Sequence, residues 1–78
     1  MSKQAYNALA AELATIEEQT GLYLFDGGID AENARDAGLE DGTDAYWAMM
    51  LDSAAMTAGG RAEDAGLDIN KLVGRTIY

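Results

Sequence analysis

Residues 44 to 58, DAYWAMMLDSAAMTA, constrain the fold more than any other part of this chain. Apolar side chains recur there at intervals of three and four residues, which is the period of an α-helix. They cover so wide an arc that the helix is predicted to lie centrally and to pack on two sides, ending at Gly59-Gly60. One stripe consists of Trp47, Met50, Leu51 and Ala54, and a second stripe beside it consists of Tyr46, Met49, Ser53 and Met56.

Two further helices are predicted before this segment. The first is expected to be capped by Ser2 and to stop at Gly21, because glycine tolerates the left-handed conformation of a helix C-cap. The second is short, is expected to be capped by Asp30 with Ile29 folding back as a hydrophobic staple, and stops at Gly38. The first helix carries one apolar stripe, formed by Ala5, Leu9, Leu13 and Ile16.

A short internal echo predicts how two of the segments end. ARDAGLE (34–40) and AEDAGLD (62–68) share five of seven residues. Each combines an alanine-rich helical turn, a glycine suited to a left-handed cap, and a leucine that folds back. The last segment is predicted to contain a further helical turn, capped by Asp68 and closed by Gly74.

The fold class that follows is a mainly α, single acidic helical domain over 1–78, a small bundle of three or more helices. A minor two-stranded β element is the variant left open, pairing GLYLF (21–25) with GRTIY (74–78). Large apolar residues are few and much of the 49% hydrophobic content is alanine, so the core is expected to be thin. A homodimer would supply some of the missing burial.

The net charge of −9 limits the class of partner. Nucleic acids and anionic membrane surfaces are polyanions that repel such a chain, so direct binding to either is not expected. The N-terminus lacks the apolar region of a signal peptide, and no stretch is long enough to span a membrane. A cytoplasmic location is therefore expected, in the host cytosol if the protein is phage-encoded.

An acidic run between residues 26 and 44, DGGIDAENARDAGLEDGTD, holds the candidate site. Carboxylates a few ångströms apart resemble a row of phosphates, and a basic groove that binds nucleic acid would accept them. The alternative is that these residues are helix caps and an ordinary solvated face. The candidate partner-binding residues are Asp26, Asp30, Glu32, Asp36, Glu40, Asp41 and Asp44, with Glu17 and Glu18 as an extension of the same surface.

Catalytic, cofactor and metal sites are not expected. The chain has no His and no Cys, which removes the usual general base and the thiolate ligands. An EF-hand loop needs Gly at position 6 and Glu at position 12; loops starting at Asp26 or Asp36 have neither. Neither glycine pair is followed by the Gly-Lys-Ser/Thr of a phosphate-binding loop.

Three function classes remain. The favoured one is a non-enzymatic inhibitor that mimics DNA and blocks a basic, nucleic-acid-handling protein. In size, charge and lack of catalytic groups the chain is similar to phage-encoded inhibitors of host defence, including anti-CRISPR and antirestriction proteins. The Asp52-Ser53 pair, with the acidity and length, resembles acyl carrier proteins, which implies Ser53 as a phosphopantetheine attachment site. The third class is a structural subunit that self-associates through the helix at 44–58.

Overall fold

One long helix lies at the centre of the molecule. The computed structural model describes residues 1–78 and contains four helices and no strand. The third helix packs against each of the other three, and the fourth also contacts the first. The predicted mainly α bundle is therefore confirmed, with its predicted core helix at the centre. The helices are α1 (Ser2–Thr20), α2 (Gly27–Asp36), α3 (Asp44–Asp64) and α4 (Ile69–Val73).

The core is small and built largely from leucine and alanine. Leu9 and Leu13 of α1 belong to the same core cluster as Leu24 and Ile69, and all four side chains are almost completely buried. Alanines of α2 and α3 contribute to the core, and their small side chains let the helices pack closely. The core alanines are Ala34, Ala54, Ala55, Ala58 and Ala62.

The two stripes predicted for α3 are only partly buried. Met50 and Tyr46 lie in the core, whereas Trp47 and Leu51 are half-buried. Met56 was predicted to lie on an apolar stripe, yet its side chain is 66% exposed. The bundle is too small to cover the whole apolar arc of its central helix.

Two predicted helix starts are wrong. α2 is capped by Asp26, whose side chain accepts a hydrogen bond from the Ile29 amide at 3.2 Å, and not by Asp30. Ile29 therefore lies inside the helix and is no staple outside it. α1 follows Met1 without a side-chain cap, and Ser2 instead donates its amide and hydroxyl to Asp44 at 3.1 and 3.3 Å. This links the start of α1 to the start of α3.

The helix ends predicted from the internal echo are confirmed. Gly38 and Gly66 both have positive φ, 79° and 76°. The amide of Leu39 reaches back to the Ala34 carbonyl at 3.2 Å, and that of Leu67 to Ala62 at 2.8 Å. Both copies are thus the same C-terminal capping motif, in which the leucine folds back on its helix.

Gly59-Gly60 does not end α3, contrary to the prediction. The helix continues to Asp64, because Ala58 and Ala62 on the same face are both fully buried in the core. Glycine in a helix interior costs about 1 kcal/mol relative to alanine. At Gly59 that cost has a structural reason: a Cβ there would overlap the ring of Tyr78, which packs on the helix backbone.

The possible strand pair does not form, because side chains satisfy the backbone of both segments. A carboxylate oxygen of Glu17 accepts hydrogen bonds from the amides of Leu24 and Phe25 at 2.7 and 3.0 Å. The Asn70 side-chain carbonyl accepts from the amides of Ile77 and Tyr78 at 2.8 and 3.1 Å. Each side chain takes the place that a neighbouring strand would occupy.

Candidate partner-binding surface

The candidate surface centres on α2, a helix with one buried and one exposed face. Asp30 and Ala34, four residues apart, are fully buried on the face towards the bundle. Glu32 and Asp36, also four residues apart, are exposed on the outer face. Positions four apart on a helix lie about 6 Å apart along its axis, so these two carboxylates point the same way. No Lys or Arg nitrogen lies within 4 Å of either one.

Asp30 does not belong to this surface, and its assignment as a contact residue is corrected. Its carboxyl is completely buried, and one oxygen accepts a hydrogen bond from the Tyr6 hydroxyl at 2.9 Å. The other oxygen has no hydrogen-bond partner. Burial raises the pKa of Asp30, and the hydrogen bond from the Tyr6 hydroxyl opposes that shift only in part. Asp30 therefore links α2 to α1 inside the molecule and cannot meet a partner.

Three other residues of the predicted set already have intramolecular partners. Asp41 receives two hydrogen bonds from the Arg35 guanidinium, at 3.3 and 3.0 Å, and this ion pair lowers the pKa of Asp41. Asp44 receives the two hydrogen bonds from Ser2. Asp26 caps α2 and lies 3.9 Å from Arg61, and the backbone hydrogen bond from Ile29 lowers its pKa. These three carboxylates already have intramolecular partners and are therefore less free to bind another protein.

The extension over Glu17 and Glu18 divides in the same way. Glu17 is half-buried and holds the backbone of residues 24 and 25, so it has a structural role. Glu18 is exposed and has no cation within 4 Å. The predicted residues that are both exposed and free of a charge or hydrogen-bond partner are Glu18, Glu32, Asp36 and Glu40.

Sequence reasoning missed one acidic side chain of interest, Asp52 on α3. It is exposed, has no cation within 4 Å, and lies at the edge of a cavity between α1 and α3. Asp52 lies outside the acidic run, and the sequence analysis considered it only as part of the Asp52-Ser53 pair. The sequence carries no signal for this position, because the burial of Ser53 and Ala55 beside it and the cavity itself appear only in the folded chain.

Ser53 is not presented as an attachment site. It lies in the middle of α3, its side chain is buried, and its oxygen accepts a hydrogen bond from the Asn33 amide at 2.8 Å. A prosthetic arm on this oxygen would have to displace α2. The acyl-carrier resemblance therefore has no support from the position of its key residue.

The apolar residues of α3 leave a limited exposed area for self-association. Met50 is buried in the core, so it is no surface contact, whereas Met56 is exposed. No three acidic side chains converge in a way that could hold a metal ion. None of the helices has the length and apolar character required to cross a bilayer.

Comparisons with protein-family models, with characterised proteins and with solved structures give no match to this chain.

Proposed function

We propose that this protein is a non-enzymatic inhibitor whose acidic surface occupies the nucleic-acid-binding cleft of a basic protein. The contact is assigned to the outer acidic face, defined as Glu32, Asp36 and Glu40, with Glu18 as an extension. The observation that supports it best is the lack of charge compensation there. These carboxylates are exposed and unpaired although the chain carries five Lys and Arg residues.

The mounting of α2 also supports the proposal. Asp26 caps the N-terminus of α2. Asp30 is hydrogen-bonded to Tyr6 of α1, and Asn33 is hydrogen-bonded to Ser53 of α3. Arg35 then holds the following loop through Asp41. A helix fixed at several points presents its carboxylates in one arrangement, which lowers the entropy cost of binding.

The energetics fit a partner rich in arginine. Like charges at helical spacing destabilise a helix by a few tenths of a kcal/mol each. An arginine-lined cleft relieves that repulsion and adds hydrogen bonds to charged groups, each contributing roughly 1.5–3 kcal/mol. The same charges repel nucleic acid, so the partner is the basic protein. Nucleic acid then competes with this chain for the cleft of that partner. An anti-CRISPR or antirestriction role is one form of this proposal.

Capture from a host lysate, with identification by mass spectrometry, tests the proposal. The immobilised protein should retain nucleic-acid-binding proteins, and added duplex DNA should release them. The double variant Glu32→Gln/Asp36→Asn should lose this capture. The control Glu63→Gln/Asp64→Asn changes the net charge equally at exposed positions of α3 and should retain it. Captured proteins that do not bind nucleic acid, or equal capture by both variants, would contradict the proposal.

A further inference from the structure

A groove between α1, α3 and the C-terminal segment is lined mainly by apolar side chains. Its volume is about 350 Å³, within the range of pockets that bind small ligands or side chains. Ala5 and Ala8 of α1 face Leu51 and Ala55 of α3 across it, and Ile77 lines a further wall. The space exists because alanines stand where larger side chains would fill it.

The C-terminal wall of the groove is held in place by specific contacts. The side-chain carbonyl of Asn70 accepts hydrogen bonds from the amides of Ile77 and Tyr78, and the Asn70 amide group donates to the Tyr78 carbonyl at 3.1 Å. Arg75 forms an ion pair with Glu12 of α1. The groove is therefore formed before any ligand arrives, which favours binding because little ordering is required.

Charge at the groove is unequal. Arg75 lines it, but Glu12 neutralises that guanidinium, and the ion pair raises the pKa of Arg75 further. Asp52 also lines the groove, and its carboxylate is exposed and unpaired. The net charge of these three groups is negative. A ligand with an apolar stem and a cationic end matches the groove in both shape and charge.

We propose that this groove binds an arginine side chain of a protein partner, with its aliphatic stem on the alanines and its guanidinium on the Asp52 carboxylate. Arginine suits the site because its planar fork pairs with a carboxylate through two hydrogen bonds while its methylene groups pack on apolar surface. The volume also admits an apolar residue beside the arginine. This inference deepens the proposed function, on which it rests for the source of the arginine.

Small probes test the groove without the partner. Hexylguanidinium, the neutral hexylurea and the anionic hexanoate share an alkyl stem and differ in charge. In amide NMR titrations of the full chain, hexylguanidinium should shift the signals of Ala5, Ala8, Asp52, Ala55 and Thr76. It should bind more tightly than hexylurea, and hexanoate should bind most weakly. Equal binding of the three probes, tighter binding of hexanoate, or shifts spread over all acidic residues would overturn the inference.

Matched variants complete the test. Asp52→Asn should weaken the binding of hexylguanidinium about tenfold and leave the affinity for hexylurea unchanged. Asp64→Asn should change neither affinity. Ala8→Leu fills the groove and should weaken the binding of both hexylguanidinium and hexylurea. Ala11→Leu is its control, because Ala11 is exposed on the same helix. Circular dichroism verifies that each variant is folded. The Glu32→Gln/Asp36→Asn variant should bind the probes normally, so failure of the groove and failure of the outer acidic face give different results.

Discussion

Asp30 shows how much one residue's surroundings change its role. It stands in an acidic run, yet it is the one carboxylate of that run that is fully buried, with one oxygen hydrogen-bonded to Tyr6 and the other without a partner. Burial also raises the pKa of Tyr6, and the hydrogen bond to Asp30 adds to that shift. Ionised Asp30 therefore costs stability, whereas the protonated form can donate a hydrogen bond.

The first prediction follows from the sign of this shift. A buried acid with a raised pKa binds its proton more tightly in the folded state, so its contribution to stability falls as pH rises from the unfolded pKa through the folded one. Asp30→Asn removes this loss. We expect the variant to match the wild type near pH 3.5 and to exceed it at pH 7 by on the order of 1 kcal/mol.

Urea unfolding of both proteins across that pH range measures the difference. Asp26 and Asp41 have lowered pKa values, so their contributions to the free energy of unfolding fall on acidification. Both proteins share these contributions, which therefore cancel in the comparison. A difference that stays constant with pH, or an Asn variant less stable at pH 7, would show that the Asp30 charge is better compensated than its surroundings indicate.

At the scale of the helix, two adjacent glycines of α3 have different surroundings. A Cβ at Gly59 would overlap the Tyr78 ring, whereas nothing lies within 4 Å of a Cβ at Gly60. Gly60→Ala should therefore stabilise the protein by about 0.5–1 kcal/mol through helix propensity. Gly59→Ala should destabilise it, because Tyr78 has to leave its site on the helix.

A double-mutant cycle separates these effects. In a Tyr78→Ala background the overlap is gone, so Gly59→Ala should become neutral or stabilising, as Gly60→Ala is in either background. Thermal unfolding followed by circular dichroism supplies the values. Destabilisation by Gly59→Ala that persists without Tyr78 would show that the glycine is needed for a reason other than the ring.

The elements that were predicted correctly are those governed by local chemistry. Three of the four residues predicted for the α1 stripe, Leu9, Leu13 and Ile16, are buried, whereas Ala5 is exposed. These three residues, the Asp68 cap and the repeated glycine–leucine ends depend on residues within one or two turns of each other. The errors came from distant contacts. Gly59 looked like a helix stop, but the docking of Tyr78 and the burial of Ala62 carry the helix through it. The strand pair of 21–25 with 74–78, which the sequence left open, does not form because Glu17 and Asn70 satisfy backbone amides in the two segments.

The candidate site was predictable to a similar degree. The helical spacing of Glu32 and Asp36 placed both on one exposed face, and the structure agrees. The same local pattern was unable to separate free carboxylates from occupied ones. Asp30 turns inward to Tyr6, which is 24 residues away, and Asp44 accepts hydrogen bonds from Ser2, which is 42 residues away. The groove at Asp52 depends on three segments that meet only in the folded molecule.

At the scale of the whole molecule, the protein combines a thin core with an uncompensated surface charge. A net charge of −9 on 78 residues destabilises the compact state through repulsion. Only three of the fourteen acidic residues lie within 4 Å of a cation, and the outer acidic face has none of them. We propose that a basic partner supplies the cations that this surface lacks.

The salt dependence of binding to a captured, purified partner tests that central claim most directly. The slope of log Kd against log salt concentration counts the ions released when opposite charges meet. We predict a steep slope for the wild type, an equally steep one for Glu63→Gln/Asp64→Asn, and a shallower slope with weaker binding for Glu32→Gln/Asp36→Asn. Identical slopes for the two charge-matched variants would contradict the account, because the outer acidic face would then contribute no more than any other exposed carboxylates.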